Sequence, residues 1–221
     1  MKRAIVIMAK VPVAGMVKTR LQSVLSPDQS AALAAAFLQD TEKKAKAVCD
    51  KTILAFSPPE KRKELQDLLR YEHIFIEQKG SNLGEKIFNA FEFAFSTDSD
   101  AVVIIGADSP TVPADFIEQA FEFLETNSDA VLGKTEDGGF YLIGLRVLRR
   151  EIFENVAWSS EKTFEQVRRN IMNLDLRLRE VPDWYDIDEP RDLEKLKTEL
   201  STSENARRRA AKTLKWLTEN L

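Results

Sequence analysis

The fold is decided by the stretch Ala4-Ile-Val-Ile-Met-Ala9 and by the loop after it, Lys10-Val-Pro-Val-Ala-Gly15-Met-Val-Lys18-Thr-Arg20-Leu21. The first part is short, apolar and rich in Ile and Val, which predicts a buried strand. Open α/β sheets bind ligands where loops leave the ends of such strands. Because Lys10, Lys18 and Arg20 all lie in this loop, we expect an anionic ligand there, most simply a phosphate chain. A solvated surface loop is the alternative.

Further apolar, β-branched runs follow this strand, with helical patterns between most of them. Together the runs cover residues 5–8, 52–56, 73–77, 101–105, 130–133 and 140–145. Strands that alternate with helices predict an α/β fold with a mostly parallel sheet covered on both sides. Only a short turn separates the last two runs, so they have no room for a crossover helix and are expected to be antiparallel or bent. The sheet is therefore predicted to be mixed.

Three helices have clear sequence signals. Ser26-Pro-Asp-Gln29 has the pattern of a capping box with proline in the first turn, which predicts a helix that runs to about Val48. Asn82 is the expected cap of a second helix with phenylalanines at helical spacing. The apolar spacing over residues 113–124 predicts a third, with its phenylalanines in the core.

The chain has 221 residues and a formal net charge of -4. We expect one domain over residues 1–200, followed by a basic amphipathic helix over 201–221. That helix could touch a membrane or an acidic partner, or it could dock on its own domain. The net charge argues against a general nucleic-acid binder. The sequence has neither a signal-peptide pattern nor an apolar run of membrane-spanning length, so the expected location is cytoplasmic. Oligomeric state is left open.

Carboxylates are the candidate metal ligands. A single cysteine and a single histidine leave too few ligands for a zinc site, so any bound metal is expected to be Mg²⁺ or Mn²⁺. Asp108 directly follows the apolar run 101–105, where it could reach a ligand or cap the next helix. Asp186 and Asp188 alternate along an extended segment before Pro190, which places them on the same side. Both could meet one cation.

The segment Glu136-Asp137-Gly138-Gly139 is a turn signal with two carboxylates. The glycines could let a ligand approach the backbone, and the carboxylates could bind sugar hydroxyls or act as a general base. A plain turn is the alternative. The chain contains no Gly-x-Gly-x-x-Gly motif and no Walker loop. Phosphate binding would therefore depend on the charges of the first loop.

Several short motifs occur in a fixed order along the chain. They are Ala9-Lys10-x-Pro12-x-x-Gly15-x-Val17-Lys18-Thr19-Arg20-Leu21, Gly80-x-x-Leu83-Gly84-Glu85, Gly106-x-Asp108-x-Pro110, Glu136-Asp137-Gly138-Gly139-x-Tyr141-Leu142-Ile143-Gly144, Trp158-Ser159 and Asp186-x-Asp188-x-Pro190-x-Asp192-Leu193. The ordered set, over roughly residues 4 to 196, resembles the transferase family associated with radical-SAM/selenodomain proteins. That family belongs to the GT-A-like nucleotide-diphosphosugar transferases. The resemblance extends more loosely to nucleotidylyltransferases, such as the guanylyltransferases of molybdenum cofactor and phospholactate.

The resemblance implies a GT-A-like three-layer sandwich and a role for each motif. The first loop would meet the nucleotide phosphates, Asp108 would bind the metal, and Asp186 or Asp188 would supply a second carboxylate. Further nucleotide and substrate contacts would come from Gly15, Asn82, Gly84, Gly138, Gly139, Tyr141, Trp158 and Ser159. The chain departs from its relatives in two ways: it lacks the paired Asp-x-Asp of many glycosyltransferases and the glycine-rich loop of many pyrophosphorylases.

The expected function is transfer of a group, a glycosyl unit in the first instance, from a nucleotide-sugar donor to a small acceptor. Lys10, Lys18, Arg20 and a carboxylate-bound cation would stabilise the leaving diphosphate. Asp137 or Glu136 is the candidate base, and Trp158 could be an apolar platform. One alternative is a nucleotidylyltransferase that uses a nucleoside triphosphate and a phosphorylated metabolite. Another is a nucleotide-binding module without turnover.

Overall fold

A computed structural model describes residues 1–221 and contains one seven-stranded sheet with helices on both faces. The strands are β1 (Arg3–Lys10), β2 (Thr52–Ser57), β3 (Ile74–Glu77), β4 (Ala101–Gly106), β5 (Ala130–Thr135), β6 (Phe140–Leu145) and β7 (Leu178–Trp184). The helices are α1 (Pro27–Val48), α2 (Arg62–Leu68), α3 (Leu83–Ser96), α4 (Ala114–Thr126), α5 (Thr163–Asn173), α6 (Pro190–Thr202), α7 (Glu204–Arg209) and α8 (Ala211–Asn220). Short 3₁₀ turns occupy Thr19–Ser23, Pro59–Lys61 and Arg150–Phe153.

The strand order is β3-β2-β1-β4-β6-β5-β7. Only β6 is antiparallel to its neighbours, β4 and β5, so the predicted mixed, mostly parallel sheet is confirmed. From β1 the chain first adds β2 and β3 on one side, and it then returns to place β4 on the other side. The carboxyl ends of β1 and β4 therefore meet where the direction of winding reverses, which is where open α/β sheets form a ligand crevice.

Alternate residues of the central strand pack into the two faces of the sheet, as period-2 patterning requires. Ile5 and Ile7 join a core with α1 and α4, whereas Ala4 and Val6 join a second core with α3 and α5. The expected α/β sandwich is thus confirmed, with the phenylalanines of α3 and α4 in the core.

A third apolar core lies outside α1 and holds the C-terminal helices. Leu33 and Phe37 of α1 belong to the same apolar cluster as Leu196 of α6 and Trp216 of α8. The carboxylate of Asp40 accepts hydrogen bonds from the first turn of α8, from Lys212 N, Thr213 N and Thr213 Oγ1 at 2.8–3.0 Å. The single helix expected over 201–221 is therefore divided at Ala210, where Asp40 caps the start of α8.

Two elements lack the sequence patterns used above. In β7 only Val181 is buried, because the strand lies at the sheet edge, and Pro182 is tolerated there for the same reason. In α2 only Leu65 is buried, so no apolar stripe marks the helix. None of the helices combines the length and apolar character needed to cross a membrane.

Candidate functional site

The main cavity opens at the carboxyl ends of β1 and β4 and has a volume of about 410 Å³. Its polar lining includes six of the residues predicted from the sequence. These are Lys10, Lys18, Arg20, Asp108, Asp186 and Asp188. Residues from both ends of the chain therefore share one crevice, together with Tyr141.

Lys18 connects the three segments that build this cavity. Its ammonium lies 2.5 Å from Asp108 Oδ1 and 3.0 Å from Asp188 Oδ1, and it donates to the carbonyl oxygen of Ile187 at 2.7 Å. The side chain is only 5% exposed, and its ammonium also lies 5.6 Å from the centre of the Phe37 ring. Burial by itself would lower the pKa of Lys18, but the Asp108 and Asp188 carboxylates outweigh it and raise the pKa. Lys18 is therefore a permanent cation between two carboxylates.

The backbone places Lys18 in an unusual conformation. Its φ is 48°, in the left-handed region, where it precedes the 3₁₀ turn at Thr19–Ser23. A non-glycine residue is uncommon there, and such residues cluster at functional sites. Gly15 also has a positive φ, 79°, a conformation that favours glycine. Gly15 itself does not line the cavity.

Asp186 adds a third carboxylate to the cavity. It accepts a hydrogen bond from the hydroxyl of Ser109, the residue after Asp108. Burial and the nearby Asp108 charge raise the pKa of Asp186 to about 7. The segment that carries Asp186 and Asp188 is held over the sheet because Ile187 N donates to Asp108 O at 3.0 Å. Asp108 does not cap α4, whose N-cap residue is Pro113.

The three carboxylates can supply only part of a metal's ligands. In this chain no group of three or more His, Cys, Asp or Glu side chains is arranged to hold a metal ion. Asp108 and Asp188 nevertheless place two carboxylate oxygens around a cation, the Lys18 ammonium. Mg²⁺ is commonly held by one or two carboxylates, with water and substrate phosphates as the other ligands. The donor set fits a cation that binds together with a phosphate group.

Lys10 and Arg20 leave their charges available to a ligand. Lys10 ends β1 at the cavity and has no carboxylate within 4.0 Å. Arg20 has a side chain that is 71% exposed, with Glu189 at 3.7 Å as its nearest acidic partner. Glu189 in turn caps α6 together with Asp192. Lys10 is therefore unpaired and Arg20 has only one long, solvent-exposed ion pair, so both cations can bind an anion.

The Glu136–Gly139 segment does not join this group. The Asp137 carboxylate accepts from Thr135 Oγ1 at 2.6 Å and from Gly139 N at 3.0 Å, which stabilises its own turn. Glu136 forms an ion pair with Lys195 at 2.5 Å. Gly138 lies so close to Glu161 that an added Cβ would be 2.2 Å from the carbonyl oxygen. The turn therefore faces α5, and the predicted base residues line no part of the main cavity.

Asn82, Gly84 and Trp158 line a separate cavity of about 330 Å³ beside the main one. Asn82 caps α3 by accepting from Glu85 N at 3.0 Å, as predicted. Gly84 lies directly against the Trp158 indole, since an added Cβ would be 2.4 Å from the ring. Ser159 follows with a φ of 60° and does not line either cavity.

Sequence reasoning missed several residues of the main cavity, among them Gln78 and Phe140. The Gln78 side chain donates to Ala9 O at 3.1 Å and to Ala55 O at 2.9 Å, which ties β3 to β1 and β2 at the cavity wall. Phe140 lines the cavity from β6. Gln78 directly follows a predicted strand, so the strand-end rule applied to Asp108 could have found it. Nothing in the local sequence distinguishes Phe140 from the core phenylalanines.

Comparisons with known proteins agree with this architecture. A family model described as an uncharacterized protein conserved in bacteria (DUF2064) matches residues 40–160, more than half of the chain. No curated protein matches the sequence. Among solved structures, a protein from Desulfovibrio desulfuricans G20, provisionally named a nucleotide-diphospho-sugar transferase, is 29% identical. The alignment covers 100% of this chain and 96% of that one, with a TM-score of 0.91.

Two enzymes share the fold at lower identity. The 4-diphosphocytidyl-2C-methyl-D-erythritol synthase from Anaerococcus prevotii DSM 20548 is 13% identical, with 90% of this chain and 96% of that chain covered and a TM-score of 0.60. The inositol-1-phosphate CTP transferase from T. maritima is 17% identical, with 96% of each chain covered and a TM-score of 0.54. The α/β fold is thus that of nucleotide-diphospho-sugar transferases and cytidylyltransferases.

Proposed function

The chain belongs to the DUF2064 family, and we propose that it is a nucleotide-dependent transferase. One observation carries the proposal: the cations Lys10 and Arg20 and three carboxylates, distant in sequence, converge in the cavity where the strand order reverses. The name of the 29% identical protein from Desulfovibrio desulfuricans G20 supports a nucleotide-sugar as donor. The narrower relationship to transferases associated with radical-SAM/selenodomain proteins is part of this proposal.

The available cations bind the diphosphate of the donor. Lys10 offers a point charge, and Arg20 offers a planar fork that can bind two phosphate oxygens at once. Met16 and Leu83, which are 54% and 39% exposed, line the same cavity and provide apolar contacts for the rest of the nucleotide. The donor is therefore held by charge at its phosphates and by apolar contact beyond them.

Lys18 keeps the acidic side of the cavity in place. Because its ammonium is already paired with Asp108 and Asp188, it positions these carboxylates rather than presenting a free charge to phosphate. Asp108, with Asp186 or Asp188, is the proposed ligand set for Mg²⁺ or Mn²⁺. When bound, such a cation supplies positive charge to the leaving diphosphate. We assign no general base to Glu136 or Asp137, because both have structural partners outside the cavity.

A nucleotidylyltransferase is the second candidate, supported by the names of the two structures that use cytidine nucleotides. The same cavity would then bind a nucleoside triphosphate, and the acceptor would be a phosphorylated metabolite. The products distinguish the two reactions: glycosyl transfer releases a nucleoside diphosphate, and nucleotidyl transfer releases pyrophosphate.

Calorimetric titration with UDP-, GDP-, CDP- and ADP-sugars and with the four nucleoside triphosphates, with and without Mn²⁺, tests the proposal. We expect binding that Mn²⁺ strengthens and that Asp108→Asn weakens at least tenfold. The matched control is Asp115→Asn, an exposed aspartate on α4. Binding that is equal with and without Mn²⁺ and unaffected by Asp108→Asn would instead indicate a binding module without turnover. The absence of any nucleotide binding would contradict the proposal altogether.

A further inference from the structure

The cavity beside the main one, here called the Trp158 cavity, has features of a ligand site that the nucleotide proposal does not use. It is formed by the first turns of α3, the 3₁₀ turn Arg150–Phe153 and the loop that leads to Trp158. Its volume of about 330 Å³ lies at the lower end of the range of small-molecule pockets.

Three aromatic rings form one wall of this cavity. Phe88 and Phe153 meet edge to face with their centroids 6.1 Å apart, and Phe153 stacks on Trp158 at 6.5 Å. Trp158 is half-buried, so part of its indole faces the cavity. Phe88 and Phe153 are themselves buried, so the exposed part of the Trp158 indole is the surface that can pack against the apolar face of a small molecule.

Arg150 places an unpaired charge next to these rings. Its guanidinium lies 3.9 Å from the centre of the Phe88 ring, yet it has no carboxylate within 4.0 Å and makes no side-chain hydrogen bond. The carboxylate of Glu85, which also lines the cavity, accepts from Ser81 N at 2.7 Å and Ser81 Oγ at 3.0 Å, and the Arg150 charge acts on it only from beyond ion-pair distance. Arg150 therefore has all of its N–H donors available, in the planar arrangement that binds carboxylate or phosphate.

Glu154 supplies the complementary polar group. It lines the cavity, and its carboxylate has no partner among the ion pairs and side-chain hydrogen bonds of the chain. A carboxylate can accept from a hydroxyl group. A ligand that satisfies both residues therefore has an anionic group for Arg150 and a hydroxyl for Glu154.

The loop that carries Trp158 is strained and tightly held. Asn155 and Ser159 have positive φ values of 54° and 60°. Their loop is fixed to α5, because Gln166 Oε1 accepts from Ala157 N at 2.6 Å and Asn170 Nδ2 donates to Glu154 O at 2.9 Å. Strained non-glycine residues that the surrounding structure holds in place cluster at ligand sites. Lys18, in the main cavity, is another such residue.

The Trp158 cavity is adjacent to the main cavity. Phe140, which lines the main cavity, meets Trp158 edge to face with the centroids 6.4 Å apart. On α3, Leu83 lines the main cavity and the next residue, Gly84, lines the Trp158 cavity. The Phe140–Trp158 contact and the start of α3 at Leu83 and Gly84 therefore lie between the two cavities.

We propose that the Trp158 cavity is the acceptor subsite and that the acceptor is a small hydroxylated anion. Arg150 binds its carboxylate or phosphate, Glu154 accepts from a hydroxyl, and Trp158 contacts its apolar face. The acceptor role depends on the proposed transferase function, whereas anion binding at Arg150 does not.

Fluorine NMR of protein that contains 5-fluorotryptophan tests this assignment. The chain has three tryptophans, and Trp158→Phe identifies the resonance of Trp158. The probes are 3-phosphoglycerate, inorganic phosphate and uncharged glycerol. We expect 3-phosphoglycerate to shift the Trp158 resonance more than inorganic phosphate does, and glycerol to leave it unchanged. Arg150→Gln should weaken 3-phosphoglycerate binding at least tenfold. Arg149→Gln, which changes the same charge one residue away from the cavity, should leave it unchanged.

The possible failures of the two proposals are distinguishable. Nucleotide binding in calorimetry without any anion-induced shift of Trp158 would overturn the subsite and leave the transferase proposal intact. A second result would also overturn the subsite: the Trp158 shift is lost in the double variant Lys10→Gln plus Arg20→Gln but persists in Arg150→Gln. The probe would then bind in the main cavity. A Trp158 shift that depends on Arg150, in a protein that binds no nucleotide, would overturn the transferase function and the acceptor role together and leave an anion site.

Discussion

Lys18 and its two carboxylate partners determine the charge of the main cavity on its acidic side. The Lys18 ammonium is almost fully buried, whereas Asp108 and Asp188 have side chains that are 53% and 43% exposed. The two carboxylates can therefore exchange contacts with a ligand while Lys18 stays in place. This arrangement predicts that the cluster needs a cation for stability.

Lys18→Met should destabilise the protein and make it respond to added metal. Removal of the ammonium leaves two carboxylates without their counter-charge, which should cost about 1–3 kcal/mol, below the range for fully buried pairs because both acids reach solvent. Mn²⁺ should restore part of this loss. Urea unfolding with and without Mn²⁺ measures both effects. The control Arg20→Met should change the free energy of unfolding by less than about 0.5 kcal/mol, since the ion pair of Arg20 with Glu189 is exposed to solvent. A variant as stable as the wild type would contradict the proposed need for a cation.

Lys44 should make the stability of the protein depend on pH. It is buried in α1, donates to Ser109 O at 3.3 Å and Pro110 O at 3.1 Å, and burial lowers its pKa to about 7. The charges of Asp40 and Glu199 oppose this shift, and that of Arg209 adds to it. Below pH 7 the folded state must hold a buried charge. Above pH 7 Lys44 is neutral in the folded state but still protonated in the unfolded chain. The free-energy cost of burying Lys44 therefore declines as the pH rises, until the unfolded chain also loses the proton near pH 10.

The stability of the wild type relative to Lys44→Met should therefore increase between pH 7 and pH 9.5. The expected change in the difference of unfolding free energies is on the order of 2–3 kcal/mol, since each pKa unit corresponds to about 1.4 kcal/mol. Urea unfolding at the two pH values measures it. The exposed neighbour Lys43, replaced by Met, should show no such change. If the difference in unfolding free energy between the wild type and Lys44→Met were the same at both pH values, the pKa of Lys44 would not be lowered.

At the scale of elements, helix α3 packs against the Trp158 indole at Gly84. Alanine normally favours a helix over glycine by roughly 1 kcal/mol. Here an added Cβ would be 2.4 Å from the indole, so the contact decides the outcome. Gly84 is thus a packing requirement of two elements that lie far apart in sequence.

Gly84→Ala should destabilise the wild type by about 1–3 kcal/mol, the usual effect of overpacking. The same substitution in a Trp158→Ala background should be neutral or stabilising, because the indole is gone. A double-mutant cycle by urea unfolding measures the coupling between the two sites. Equal effects of Gly84→Ala in both backgrounds would show that the indole does not lie against this helix.

At the scale of the whole molecule, the C-terminal helices form part of the folded unit. Helices α7 and α8 close an apolar cluster on α1, and three donors of α8 satisfy the buried carboxylate of Asp40. Three basic residues of α7 and α8 have partners nearby: Arg208 pairs with Glu204, Lys215 pairs with Glu219 at 3.7 Å, and Arg207 donates to Leu200 O of α6 at 3.0 Å.

A chain that ends at Thr202 should therefore be much less stable than the full chain. It exposes Leu33 and Phe37 and leaves the Asp40 carboxylate without its donors, which together should cost at least about 3 kcal/mol. Thermal unfolding followed by circular dichroism tests this expectation. Removal of Asn220 and Leu221 alone should have little effect, because Leu221 is 57% exposed. If the shorter chain unfolded at the same temperature, the segment would be an independent appendage.

Local sequence determines the helices and strands with strong short-range signals. The Ser26 capping box, the apolar run of β4 and the short turn before β6 each depend on residues within a few positions of one another, and each occurs where predicted. The same strand-end argument places Asp108 at the crevice. The edge strand β7 could not be predicted in this way, because most of its side chains are exposed to solvent and it has no apolar run.

Tertiary structure alone decides which polar residues meet. Asp186 and Asp188 reach Asp108 only because the chain after β7 crosses back over the sheet and is held by Ile187 N, and Lys18 then fills the space between the carboxylates. Glu136 and Asp137 also follow a strand, but Lys195 and the turn itself occupy their carboxylates, and neither residue lines the cavity. Residue type and spacing thus determine what each segment can do. The convergence of charges depends on contacts between residues nearly 80 or more positions apart, which no local pattern encodes.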